Sequence, residues 1–270
     1  MSIQKSVIRW GLKLSLVSSI VLGTFLASSV RVLALTQEQV MERLRSVPVF
    51  TLANNEGSPL LAVPTEGENR NPIASVFMSR EDAQTFLNNL KTRDPQTAEG
   101  IQVIPIPLAK IYEYEVTQRS RSETEQLRFA FIPEQQQIDA AKTLLQQSGQ
   151  NSEQFQGVPL FVARSGGNQG GYLTINQDNQ QVIPMFFDRT ELQALLDRLK
   201  EVQPELANGV QVQVVNLEGV IQTLQNSNNE ELNRILLVPS QASRDYIRSL
   251  QQNQGQGSQP QGQPQSQPQR

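Results

Sequence analysis

Apolar positions along this chain fall into short strand-like runs broken by stretches of helical spacing, and the series is written twice. Ala83, Phe86, Leu87 and Leu90 stand at i, i+3, i+4 and i+7, and Leu192, Leu195, Leu196 and Leu199 repeat that spacing. Each set predicts a helix with one apolar face. Ser79 and Asp188 precede these helices as N-caps, and Asp82 and Glu191, three residues on, complete a capping-box pattern. Burying one large apolar side chain stabilises by about 1.5–3 kcal/mol, so each stripe requires a cover.

The correspondence continues outward at a spacing of about 110 residues. Residues 77–91 align without a gap to residues 186–200. Val47-Pro48-Val49-Phe50 matches Val158-Pro159-Leu160-Phe161, and Gly100-Ile101-Gln102-Val103 matches Gly209-Val210-Gln211-Val212. Further on, Phe129-Ala130-Phe131-Ile132-Pro133 parallels Ile235-Leu236-Leu237-Val238-Pro239.

Each copy predicts a strand at the Val-Pro-x-Phe motif and a turn into a second strand, at residues 54–57 or 166–171. The main helix follows, then a strand at 101–106 or 210–215, a shorter helix at 108–114 or 217–224, a strand at 127–132 or 234–238, and a short closing helix. The glycine-rich segment 165–171 reads as a hairpin turn rather than a ligand loop, because strand-like runs flank it. A leader helix at 36–44, capped by Thr36 with Gln39, stands before the first copy.

The class is therefore α+β. Two tandem homologous ββαβ(α)βα-type units, with mixed sheet and flanking helices, are expected to face each other about a pseudo-twofold axis and share one sheet system.

The N-terminus adds an export reading. Lys5, Arg9 and Lys13 precede or open an apolar run from 14 to 26, and Val32-Leu33-Ala34 offers a small-residue site, so residues 1–34 read as a signal peptide cut after Ala34. The run is short and diluted by Ser15, Ser18, Ser19 and Thr24, which argues against a membrane span. No stable membrane insertion is expected once it is removed. The expected boundaries are 1–34 signal, 35–147 leader helix and first unit, 148–250 second unit, and 251–270 tail. Half of that tail is Gln and most of the rest is Gly, Pro and Ser, a mixture too polar to repay the entropy of folding, so it is expected to be disordered.

Loss of Lys5, Arg9, Lys13 and Arg31 with the signal takes 23 basic residues to 19 against an unchanged 26 acidic ones, a formal balance of −7. No basic face remains for a phosphate backbone, so nucleic acid is not an expected partner.

The chain has no His and no Cys, which removes imidazole acid-base catalysis, Ser-His-Asp triads, thiol chemistry and the usual zinc sites. No phosphate-cradling glycine motif is present either. Paired carboxylates are what remains for catalysis, Asp82 with Glu81 or Asp188 with Glu191, and capping explains them better. Tyr112 and Tyr114 read as packing. The expectation is no enzyme, no catalytic residue, no cofactor and no metal.

The signal pattern, the duplicated unit, the openings at Val47 and Val158, and the segments 76–91 and 184–200 resemble the Tic22 family in its cyanobacterial form. That resemblance covers residues 35–250. It implies a butterfly-like fold of two related halves with an apolar pocket on each side, in a compartment between two membranes. The compartment is expected to be the periplasm, with the thylakoid lumen or plastid intermembrane space as alternatives.

The function implied is a chaperone-like binding protein that holds or ferries unfolded or extended outer-membrane polypeptides by reversible apolar contacts, for outer-membrane biogenesis or translocation. The alternative is an adaptor subunit bridging inner- and outer-membrane assemblies, with an outer-membrane assembly or translocon barrel as partner. Phe77, Phe86, Phe186 and Leu195 are the first candidates for apolar client contact.

Overall fold

The computed structural model describes residues 35–64, 71–120, 126–165, 170–227 and 229–256. The expected signal with its cleavage site at Ala34, the tip of the 165–171 turn and the tail beyond Gln256 lie outside the described residues.

Helix α1 (Gln37–Arg45) leads, and its capping box closes as expected. The Thr36 hydroxyl accepts from the Gln39 N–H, and the Gln39 side chain accepts from the Thr36 N–H. The first half follows as β1 (Pro48–Ala53), β2 (Leu61–Ala62), β3 (Ile73–Phe77), α2 (Arg80–Arg93), β4 (Gln102–Pro107), α3 (Leu108–Gln118), β5 (Arg128–Ile132) and α4 (Gln135–Gln147). The second comprises β6 (Pro159–Ser165), β7 (Ile175–Gln177), β8 (Gln180–Phe186), α5 (Arg189–Val202), α6 (Pro204–Ala207), β9 (Val210–Asn216), α7 (Leu217–Asn226), a 3-10 turn at Glu230–Arg234, β10 (Ile235–Val238) and α8 (Gln241–Gln256).

The class is α+β, with the strands in two separate sheets rather than one shared system. In the first, β1 pairs antiparallel with β3 and β4, β2 pairs antiparallel with β3, and β3 pairs parallel with β5. In the second, β6, β8, β9, β7 and β10 make the same pairings in the same senses. Even the register repeats, with Phe50 opposite Phe77 and Phe161 opposite Phe186.

Each half holds one strand more than expected before its main helix. β2 is two exposed residues without apolar periodicity, which leaves no pattern to read. β7 turns into β8 through Asp178 and Asn179, both at positive φ, in the geometry of a tight two-residue hairpin.

The capping boxes of α2 and α5 do not close. Ser79 Oγ accepts from the Asp82 N–H at 3.3 Å without a return bond, and Asp188 accepts from both the N–H and the hydroxyl of Thr190. Glu191 instead reaches out of its helix. It accepts from the Gln241 N–H at 2.6 Å and pairs with Arg244 at 2.7 Å, fastening the start of α8.

β1 and β6 lie in the middle of their sheets and are buried on both faces, which is why their sequences are apolar at nearly every position. The inner faces of both sheets contribute to a single core. Val47, Val49, Val158 and Leu160 meet α1, α3 and α7 there, through Leu44, Ile111 and Val220.

Each outer face carries its own main helix, α2 or α5, and the rest of the cover is exchanged. α4, which follows β5 of the first sheet, lays Ala141 and Leu144 on the second sheet beside α5. α8, which follows β10 of the second sheet, lays Tyr246 on the first, with its ring 5.8 Å from Phe50 and beneath the Arg80 guanidinium. α8 also continues to Gln256, six residues into the segment expected to be disordered. α1 adds a further tie, since Arg43 donates to the carbonyls of Leu232 and Asn233 just before β10.

Two outcomes follow from this exchange. Replacing the fully buried Phe161 with Ala costs about 3–5 kcal/mol, measured by denaturant unfolding of the whole chain. Residues 35–147 expressed alone, deprived of the cover that α8 gives the first sheet, show no cooperative unfolding transition by circular dichroism.

Candidate functional site

A small hollow lies where the two halves meet. It is lined by Val47, Met78, Glu134 and Gln137 from the first half and by their counterparts Val158, Phe187, Ser240 and Ser243 from the second. Its volume of about 10 Å³ admits about one water. No polypeptide side chain fits.

A larger groove opens beside it. Pro48, Pro105, Ile106 and Pro107 form one wall, Ile247, Arg244, Arg248 and Gln251 of α8 form the other, and Arg45 and Ser46 at the end of α1 close one end. It encloses about 430 Å³, within the range of small-ligand pockets and enough for a few apolar side chains.

The charges around it are largely spoken for. Arg45 pairs with Glu42 at 2.9 Å, Arg248 with Asp245 at 2.7 Å and Arg244 with Glu191 at 2.7 Å. The first two are exposed pairs that contribute about 0–1 kcal/mol each, so Arg45 and Arg248 can turn to a new carboxylate at little cost, whereas the partly buried Arg244 pair stays as the fastening of α8. The groove thus offers an apolar floor inside a re-arrangeable cationic rim.

The corresponding place in the second half is filled. There α4 presents Ile138, Ala141, Lys142 and Leu145 at the positions of Arg244, Ile247, Arg248 and Gln251, and both Ala141 and Leu145 are buried. The small Ala141 lets α4 lie close on β6 and β9. Asn216, at the place of Pro107, donates through its side chain to the Gln156 carbonyl and bolts that end shut. Gly157, at the place of Ser46, has φ +87, and any Cβ there would stand 2.5 Å from Asn216 Nδ2. The expected pocket on each side is therefore a groove in the first half and packed side chains in the second.

The apolar residues chosen from the sequence are not brought together. Phe77 is 3% exposed in the outer core of the first sheet, and Phe186 is 8% exposed in that of the second. Both are packing residues that present nothing to a client, because their register opposite Phe50 and Phe161 sends them inward. Leu195 is half-buried against the second outer core. Phe86 does reach the surface. It is 45% exposed and leans on Phe77 at 5.5 Å between ring centroids. The groove residues were missed because Pro48, Pro105 and Ile247 come from three elements with no common sequence pattern. The paired prolines of β4, absent from β9, were the one available signal.

A second electrostatic feature lies at the junction of the halves, where the helix starts gather carboxylates. Burial first, and then the charges of Asp82, Asp188 and Glu81, raise the Glu134 carboxyl above its ordinary value. Burial, and then Glu81, raises Asp82 likewise. Neither forms a metal-binding set, and no group of three such ligands occurs among the described residues. Nor is any helix among the described residues long and apolar enough to cross a membrane.

Compared with known proteins, residues 7–252 match the profile of the Tic22-like family. The chain is 27% identical over 210 residues to the Arabidopsis thaliana protein TIC 22-like, chloroplastic, a match covering 76% of this chain and 61% of that protein. It thus spans about three fifths of that relative's length. With Pisum sativum TIC 22, chloroplastic, identity is 25% over 191 residues, covering 71% of this chain and 68% of the pea protein. Anabaena Tic22, a protein of protein transport, superposes with a TM-score of 0.70 and 36% identity, over 80% of this chain and 97% of its own. Tic22 from Plasmodium falciparum shares the fold with a TM-score of 0.64 at 22% identity, over 79% of this chain and 98% of its own.

The carboxylate cluster has a measurable consequence. A carboxyl that holds its proton more tightly in the folded than in the unfolded state loses stability as pH rises through and above the ordinary glutamate value of 4.5. Glu134→Gln therefore raises the Tm at neutral pH, and this gain disappears below that value, as thermal unfolding followed across pH will show.

Proposed function

The chain belongs to the Tic22-like family, and from that premise we propose that it serves protein transport by holding unfolded or extended outer-membrane polypeptides, without chemical turnover. The groove between β4 and α8 carries this reading, because apolar surface is open there and its rim can adapt. Adaptable arginines over a proline and isoleucine floor suit many sequences rather than one.

The magnitudes agree with a carrier that releases its client without a fuel. Burying about 400 Å² of apolar surface yields on the order of 10 kcal/mol gross, and association costs of about 4–15 kcal/mol leave weak, reversible binding. The signal-like pattern at residues 1–34 supports a periplasmic site of action, and the chloroplastic relatives keep a plastid intermembrane space as the competing assignment.

The experiment is aggregation of an urea-unfolded outer-membrane barrel diluted into buffer, followed by light scattering. The chain slows aggregation. Ser46→Trp, which fills the groove from an exposed helix end without removing a core contact, abolishes most of that effect while leaving the Tm within a few degrees. Equal protection by wild type and variant, or no protection by either, defeats the proposal. A single folded partner captured by cross-linking, with no preference for denatured clients, would instead favour the adaptor reading.

A further inference from the structure

The edge strands of the two sheets differ in a way the groove does not explain. β4 and β9 are each paired on one side only among the described residues, to β1 and β6. Leu108 N–H donates to the Val47 carbonyl at 2.8 Å, and Leu217 N–H donates to the Val158 carbonyl at 2.9 Å. These bonds fix which backbone groups face the partner strand and which face away, since the direction alternates along a strand. In β4 the outward positions are Val103, Pro105 and Pro107. In β9 they are Val210, Val212, Val214 and Asn216.

Proline has no N–H, so two of the outward donors of β4 are missing and that edge cannot template another strand. Every outward position of β9 keeps its donor. Val214 stands at the place of Pro105 and Asn216 at that of Pro107, by their pairing with Phe161 and Pro159 against Phe50 and Pro48. The sequence of β9, Val-Gln-Val-Gln-Val-Val-Asn, has none of the usual edge guards, with neither charge nor proline.

The side chains of β9 specify what would lie beside it. Val210, Val212 and Val214 pack toward the outer core of the second sheet. Gln211 and Gln213 point to the opposite face, and Gln213 Oε1 is buried without a hydrogen-bond partner. A neighbouring strand would thus meet apolar surface on one face and amide side chains on the other. That environment fits an extended segment with apolar and polar residues in strict alternation, the pattern of a barrel strand.

We propose that the free edge of β9 captures client polypeptide by β-augmentation, adding an alternating apolar and polar segment as a sixth strand to the second sheet. This rests on the client-holding reading and names the client class. Main-chain hydrogen bonds supply sequence-tolerant affinity, and the alternation supplies selection.

The test uses the whole chain and a fluorescently labelled peptide of about ten residues alternating valine or leucine with serine or threonine. Val214→Pro, which copies the residue that the sister strand accommodates, is expected to weaken peptide binding about tenfold by anisotropy, whereas Val214→Thr, which keeps the N–H, stays within about twofold. Hydrogen exchange on the wild type gives a readout independent of the variant's folding: saturating peptide slows the amides of Val212 and Val214 and leaves Val103 unchanged.

Unaltered exchange at Val212 and Val214, or equal affinity of a folded Val214→Pro chain, overturns the edge site while leaving client holding at the groove intact. Absence of peptide binding by the wild type overturns both. A wild-type dimer that Val214→Pro dissolves, with peptide binding unchanged, overturns the proposal in favour of β9 pairing with a second copy of this chain.

Discussion

Each sheet of this protein has two apolar faces, and the outer one is covered by helices from both halves of the chain, α2 with α8 on the first sheet and α5 with α4 on the second. β1 and β6 are buried on both sides, so a half that folded alone would leave an outer face wet wherever its own last helix has gone elsewhere. The solution is reciprocal. α4 crosses to the second sheet and α8 crosses to the first, while the inner faces meet in a common core with α1, α3 and α7. The ties at the crossing are polar and directional. Gln137 of α4 accepts from the Arg189 N–H at 3.0 Å, and Glu191 of α5 accepts from the Gln241 N–H of α8. The boundary between the two sequence copies is therefore not a boundary in the packing.

Departures from the repeat concentrate the features that can meet a partner. On the first sheet, larger side chains on α8 and the prolines of β4 hold a groove open and silence the strand edge. On the second, Ala141 and Asn216 close the groove, and a valine-rich β9 keeps its outward donors. The same topology thus carries the two proposed ways of meeting a polypeptide, one through side chains and one through backbone. Carboxylates gathered at the junction sit where helix N-termini favour negative charge, yet burial pushes Glu134 and Asp82 toward their protonated forms. These groups are structural fixtures of the crossing.

What could be read along the chain was whatever depends on neighbours within a few turns. The Thr36 and Gln39 box, the caps at Ser79 and Asp188, and the apolar stripes of α2 and α5 all follow from local spacing, and the structure contains them. The α+β class followed from the series of strands and helices. The same locality explains the misreadings. Glu191 occupies a capping-box position by number, but a carboxylate there is also within reach of another helix start, and the tertiary partner won. Phe77 and Phe186 were apolar and prominent, and nothing local distinguished a residue bound for a core from one bound for a surface.

Tertiary structure alone decided which sheet each closing helix covers, which of two equivalent sites remains open, and which strand edge is free. A stripe of leucines states that a face must be buried and leaves its cover unnamed, because burial is a free energy of area with no address attached. The groove and the β9 edge exist through pairings between residues far apart in the chain, and such pairings are fixed only when all the faces compete for cover at once.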